Sequence, residues 1–316
     1  MKPVISGDVR GHRIVAVGDE LHWSQDWKTF PDFLFHYIKT VLGGGWGNDE
    51  ITKPFSERHQ IMQWYDGHCR FQAQQKPGKD GIHRARLNGI SAAYLFLAYD
   101  LYTLRHHGAL QRSLIRRLKI IDQFQGARYE AFVAATFIRA GFDIQYEDEK
   151  DGTRKHPEFL ATHKATAETI AVEAKSRHRP GVLGRPGKRE QDPKVGITGL
   201  LDNAIAKVSD KPYVVFIDLN LPPTPGQVFE KPWFQEIIQA ISLKDDEYPA
   251  KHPYAMLVFT NVPHHYGEAG ELDPARDILL VVSQAPSFPI MNPKVLEDID
   301  VAVHQYGSIP NWFPDI

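Results

Sequence analysis

The chain has 316 residues, 42% of them apolar, which is ample for a buried core in one large domain or two of ordinary size. Charged residues make up 24% and the formal net charge is −2, so the protein is not a globally basic nucleic-acid binder, and any basic surface has to be local. A single cysteine, Cys69, excludes an internal disulfide framework.

Residues 1–24 contain no apolar h-region followed by a small-residue cleavage site, and no run approaches the roughly 18 consecutive apolar residues of a membrane span. The expected compartment is therefore the cytoplasm, with no membrane partner. Fifteen histidines invite a search for zinc. His106-His107 and His264-His265 are adjacent pairs that point about 100° apart on a helix, or to opposite faces of a strand. His68-Cys69 has no second pair at finger-like spacing, so no zinc site is expected.

In chain order, residues 1–29 read as short strands and loops. Phe33, Leu34, Tyr37, Ile38 and Val41 recur at helical steps and predict a helix over 31–42. The run from Gly43 to Gly47 is expected to stop it as a flexible turn; no Lys-Ser/Thr follows, so it is not a phosphate loop. Helices are predicted over 90–102 and 110–122, the latter with Leu110, Leu114, Leu118 and Ile121 on one stripe. Gln123 opens a strong helix to Ala140, closed by Gly141. Strands are predicted over 142–146, 158–163 and 169–175, the last two joined by a tight polar turn. A helix over 200–208, a buried strand over 213–219, a helix over 233–241, a buried strand over 254–260 and a strand over 278–282 complete the pattern. The order from residue 123 is α-β-β-β-α-β-α-β, which predicts an α/β (α+β) mixed sheet with helices on both faces. The expected organisation is a mostly helical region over 1–120, an α/β domain over 121–285 and a peripheral tail over 286–316.

The chemistry concentrates on two strands. Alternate residues of a strand share a face, so Glu173 and Lys175 point one way while Ile170, Val172 and Ala174 point into the core. If the hairpin is symmetric about Ala165-Thr166, Glu158 lies across from Glu173. Two carboxylates facing each other across a ladder repel, and a divalent cation between them turns repulsion into binding. Hard oxygen ligands favour Mg2+, with Mn2+ as the alternative. Glu130 sits on an apolar helix stripe with Gly126, Val133, Ala134 and Phe137 and has no Lys or Arg three or four residues away. A metal site on the next strands would compensate such a carboxylate. Phosphodiester hydrolysis suits this set, because a carboxylate-bound metal lowers the pKa of its water and withdraws charge from phosphoryl oxygens, and a neighbouring lysine orients that water.

Glu130 on a helix, Pro157-Glu158 at a strand start and Glu173-Ala174-Lys175 on the next strand together resemble the PD-(D/E)xK, or restriction-endonuclease-like, superfamily. The element order resembles its αβββαβ core over residues 121–262. Here the first motif reads Pro-Glu where Pro-Asp is commoner. The resemblance implies a Mg2+-dependent nuclease acting on nucleic acid, DNA before RNA. It implies Glu158, Glu173 and the Ala174 carbonyl as metal ligands, with Lys175 serving the attacking water and Glu130 holding metal or water. A homodimer is one assembly to consider.

After Lys175 the chain is rich in Gly, Pro and basic residues: Arg177, Arg179, Arg185, Lys188, Arg189 and Lys194, against Glu190 and Asp192. This loop is expected to grip the phosphate backbone and to become ordered only with substrate. A second basic cluster, Arg112, Arg116 and Lys119 flanked by Arg117, reads equally as a solvated helix face. Asn203 and Lys207 share a helix face that could overlook the site, with Asp210 or solvent as alternative partners. The alternative function is a nucleic-acid-binding protein that keeps the fold without cleavage.

Overall fold

The computed structural model describes residues 2–146, 156–189, 195–207, 209–267 and 275–313. The N-terminal strands β1 (Ile5–Val9), β2 (His12–Val17) and β3 (Glu20–Ser24) form an antiparallel meander. Arg10 and Gly11 both adopt positive φ, +50° and +77°, the backbone that a tight two-residue hairpin needs to match strand twist.

Helix α1 (Phe30–Leu42) starts at a capping box in which Thr29 and Asp32 satisfy each other's backbone N–H. It buries Phe30, Phe33, Leu34, Tyr37 and Ile38 and stops at Gly43, φ +90°. The glycine run does not remain a turn: α2 (Gly44–Ile51) follows at once. Its cohesion is tertiary. The buried Glu50 carboxylate accepts from His59 N at 2.7 Å and Lys53 Nζ at 2.6 Å, which ties α2 to the start of α3 (Gln60–Gln74). Helix α4 (Gly89–His106) is buried along almost its whole length, as a central helix must be.

The helix expected over 110–122 is broken. α5 (Arg112–Leu118) ends at Lys119, Ile120 is extended, and α6 (Ile121–Arg139) begins two residues before the expected start. The stripe Leu110/Leu114/Leu118/Ile121 concealed the corner because tertiary pairing, not local propensity, makes it. Folding α5 back brings Arg117 onto Glu130 of α6.

From α6 the order is β4 (Phe142–Tyr146), β5 (Phe159–His163), β6 (Thr169–Ser176), α7 (Ile197–Ile205), β7 (Tyr213–Asp218), α8 (Pro232–Glu247), β8 (Met256–Asn261), β9 (Asp277–Val282) and α9 (Pro293–His304). Strands β4 to β9 form one six-stranded sheet in sequence order. β4, β5 and β6 are antiparallel, β6, β7 and β8 parallel, and β9 antiparallel to β8. This is a mixed α/β fold with helices on both faces. One face carries Ile170, Val172, Ala174, Val214 and Phe216 and packs on α6. The other carries Ala171, Tyr213, Val215 and Ile217 and packs on α7 and α8. Among the described residues no helix is long and apolar enough to cross a membrane.

Two expected boundaries dissolve in this packing. The core on the α6 face runs continuously from Val4 to Phe313, so the helical region over 1–120 and the sheet share one interior. The segment over 286–316 is likewise no peripheral tail as far as it is described. Val295, Ile299 and Val303 of α9 are buried, and Tyr306 Oη donates to Asp100 Oδ2 at 3.0 Å. Arg139 Nη2 donates to the other Asp100 oxygen at 2.9 Å, and burial pushes the Asp100 carboxyl up to about 6 against that arginine. Tyr306→Phe, which removes one hydrogen bond to a buried charge, is expected to cost about 1.5–3 kcal/mol, read from urea unfolding. A loss indistinguishable from zero would return the C-terminal segment to the periphery.

Candidate active site

Strand register builds the site. Phe159 pairs with Val172 in the β5–β6 hairpin, so Glu158, one residue before β5, lies opposite Glu173, and Glu158 N donates to Val172 O at 2.9 Å. The turn at Ala167, φ +59°, closes the hairpin. Alternation along β6 sends Ile170, Val172 and Ala174 to the α6 face and leaves Glu173 and Lys175 on the α7 face.

Glu173 is 0% exposed. Lys175 Nζ lies 2.5 Å from its Oε1, and Lys207 Nζ lies 2.8 Å from its Oε2. Lys207 also reaches Glu158 Oε1, at 3.4 Å. It follows the C-cap of α7, Ala206, where the negative end of the helix dipole favours a cation. Of the pair Asn203 and Lys207, only Lys207 turns to the carboxylates; Asn203 is exposed, and Asp210 pairs with Lys211. Burial, and then the nearby Glu158 carboxylate, raise the Glu173 pKa above the usual glutamate range, against the pull of Lys175 and Lys207. Lys207 moves upward too: its own burial lowers it, but Glu173 and Glu158 together outweigh that. A buried carboxylate held near a second carboxylate is costly unless cations attend both, and two ammonium groups do so here.

Glu130 is ion-paired by both terminal guanidinium nitrogens of Arg117, one of them at 2.8 Å. Its side chain is 20% exposed. The expectation that a metal site would compensate this carboxylate is therefore corrected: Arg117 does so from 13 residues earlier on α5, beyond the reach of helix spacing. Glu130 and Glu158 share a neighbour, Tyr146. The row Tyr146–Phe159–Val172 puts that side chain on the α6 face. Burial first, then Glu130 and Glu158, raise its phenol pKa. Glu158, Glu173 and Lys175 thus stand together, while Glu130 stands on α6, against the other face of the sheet, paired with Arg117.

The basic loop departs from expectation over its described part. Gln125 of α6 donates to the carbonyls of Arg179 and Val182 and accepts from Arg179 N at 2.8 Å, while Val182 and Leu183 are buried. Arg179 is 1% exposed; its Nη1 donates to Asn220 O at 3.2 Å and to Tyr266 Oη at 2.9 Å. Its role is to fasten the loop to the ends of the sheet, and it is withdrawn from the phosphate-contact set. Arg177 and Arg185 are half-buried, Lys188 and Arg189 are exposed, and Arg189 lies over the Tyr266 ring at 4.4 Å. Glu190, Asp192 and Lys194 lie outside the described residues. In the second basic cluster Arg112 and Arg116 are exposed, while Lys119 donates to Leu42 O at 3.1 Å.

Sequence reading missed a polar network beside Lys175. Ser176 pairs in register with Asp218, which is fully buried and receives Arg128 Nη2 and Ser176 Oγ, each at 3.1 Å. Asn220 donates to Asp218, Gln125 and the Arg177 carbonyl, and His265 Nε2 lies 3.0 Å from its Oδ1. Its only local signal was an aspartate ending an otherwise apolar strand.

Among the described residues no group of three or more His, Cys, Asp or Glu side chains is arranged to hold a metal ion. The donor set nevertheless fits Mg2+, which is ordinarily bound by one or two carboxylates, the rest of its shell coming from water and substrate phosphate. Both Glu173 oxygens are buried, and among the described residues each faces an ammonium group, that of Lys175 or of Lys207. Comparison of the chain with protein-family models, curated proteins and solved structures gives no match.

Proposed function

We propose that the chain is a divalent-metal-dependent nuclease with a restriction-endonuclease-like core, hydrolysing phosphodiester bonds of nucleic acid, DNA in the first instance. The observation that carries this reading is the pairing of Glu158 with Glu173 across the β5–β6 ladder, with Lys175 on the same face. The order α6-β4-β5-β6-α7-β7, a meander feeding a parallel strand, supports it.

Glu158, Glu173 and the Ala174 carbonyl would hold Mg2+ or Mn2+. When bound, the metal supplies an activated water and a screen for charge on the phosphoryl oxygens. Lys175, reachable from solvent at 26% side-chain exposure, donates to and orients the attacking water. Glu130, on α6 and held by Arg117, would hold metal or water from the helix side only if that ion pair opens. The deciding experiment is Mg2+-dependent cleavage of single-stranded, duplex and circular DNA, and of RNA, by wild type and by Lys175→Ala.

A second reading, nucleic-acid binding without cleavage, is favoured by one observation: every carboxylate of the set already has a cation from the chain itself. Substrate binding that persists without any metal-dependent cleavage would select it.

The exposed edge of the basic loop is the proposed place where the nucleic-acid backbone is held. Neutralising Arg185, Lys188 and Arg189 together is expected to flatten the salt dependence of duplex-DNA binding by about 0.9 in log–log slope for each phosphate no longer neutralised. Arg179→Met is expected to lower stability and leave that slope alone, since Arg179 is buried. A salt titration of binding in Ca2+ separates the two, and an unchanged slope in the triple variant would move the substrate to another face, such as that of Arg112 and Arg116.

A further inference from the structure

We propose that Lys207 is an internal counter-cation that occupies the divalent-metal position and exchanges with the metal, so that metal entry releases the ammonium toward the substrate phosphate. The inference rests on the metal-site reading given above. Its basis is that, among the described residues, Lys207 alone touches both carboxylates, Glu173 Oε2 at 2.8 Å and Glu158 Oε1 at 3.4 Å. Lys175, by contrast, lies on the other oxygen of Glu173.

Glu158 and Glu173 would each have to lend an oxygen to the metal, and Lys207 lies on one oxygen of each. Two like charges cannot share that position, because at about 3 Å their repulsion is many times thermal energy at the dielectric of a part-buried site. Binding of the metal therefore requires Lys207 to withdraw, whereas Lys175 can keep its place on Oε1. Withdrawal is sterically simple. The ammonium rides on a flexible four-carbon stem just past the end of α7, and its side chain is already 17% exposed, so the way out leads to solvent. A phosphodiester approaching the site supplies the ammonium with a new anionic partner. The same lysine thereby keeps the metal-free carboxylates neutralised and adds a positive group once the metal is in place.

The test is calorimetric titration of Mg2+ and of Ca2+ alone into wild type, Lys207→Gln, Lys207→Arg and Glu173→Gln, with circular dichroism to verify folding. Lys207→Gln is expected to bind either ion on the order of tenfold more tightly than wild type, the effect of one like charge removed at a part-buried site. Lys207→Arg keeps the competing charge and is expected to stay near wild type, and Glu173→Gln is expected not to bind. Metal binding by Lys207→Gln but not by wild type also supports the exchange. If wild type binds and Lys207→Gln binds equally or more weakly, the exchange is overturned while the metal site stands. If no variant and no wild-type sample binds either ion, the metal site falls and the exchange with it.

Discussion

Lys175→Ala is expected to slow metal-dependent phosphodiester cleavage by about 10²–10⁴-fold, the range for loss of a positioned proton-transfer or water-orienting group, while divalent-metal binding persists. The reason lies in the strand. Alternation fixes Lys175 on the face of Glu173, and its Nζ is held 2.5 Å from Glu173 Oε1, so the ammonium has one station beside the carboxylate pair. Lys207 cannot replace it, because it approaches the other Glu173 oxygen from the end of α7. A purely structural lysine here would behave differently: its removal would lower thermal stability and leave any cleavage rate proportional to folded protein. Single-turnover cleavage in Mg2+, with thermal unfolding of the same samples, distinguishes the two. Equal single-turnover rates in both proteins would remove Lys175 from the chemistry.

Glu173→Gln is expected to abolish the stabilisation that Mg2+ or Ca2+ confers on the wild type, about 2.7 kcal/mol when the free ion stands at 100 times its Kd. The wild-type effect should also depend on pH in a stated direction. Burial and the Glu158 carboxylate raise the folded-state pKa of Glu173 above its unfolded value. In the metal-free protein this contribution to stability is therefore fully present below the unfolded pKa and is lost as pH rises through the raised folded pKa. The metal has the opposite preference, since it binds the carboxylate. Metal-induced stabilisation should accordingly grow as pH rises and fail on acidification at a pH above that of an ordinary glutamate. The measurement is the metal-induced shift in melting temperature of each variant across an acid-to-neutral series. A shift that survives in Glu173→Gln, or that is flat with pH in the wild type, would mean that the ion sits elsewhere.

Much of the fold was legible in the chain because its signals are local. The alternation in β4 and the periodicity of α1, α4 and α6 name their elements by period, and the apolar runs of β7 and β8 name theirs by short length and β-branched content. The facing of Glu158 and Glu173 was legible for the same reason: a short hairpin has one sensible register, and period two then decides which side chains share a face.

What the sequence could not determine depends on contacts between distant segments. The corner at Lys119-Ile120 exists because Arg117 folds back onto Glu130, and α2 persists after a glycine run because Glu50 is tied to His59. The loop after Lys175 reads as a mobile basic strap, yet Arg179 is buried because Gln125, Asn220 and Tyr266, from three separate segments of the chain, satisfy its backbone and guanidinium together. Burial of a charge needs several partners at once, and composition along a single segment cannot report them. The same holds for Lys207: its spacing placed it on a helix face, but only the packing of α7 against β6 decided that its ammonium would lie between Glu158 and Glu173 and not in solvent.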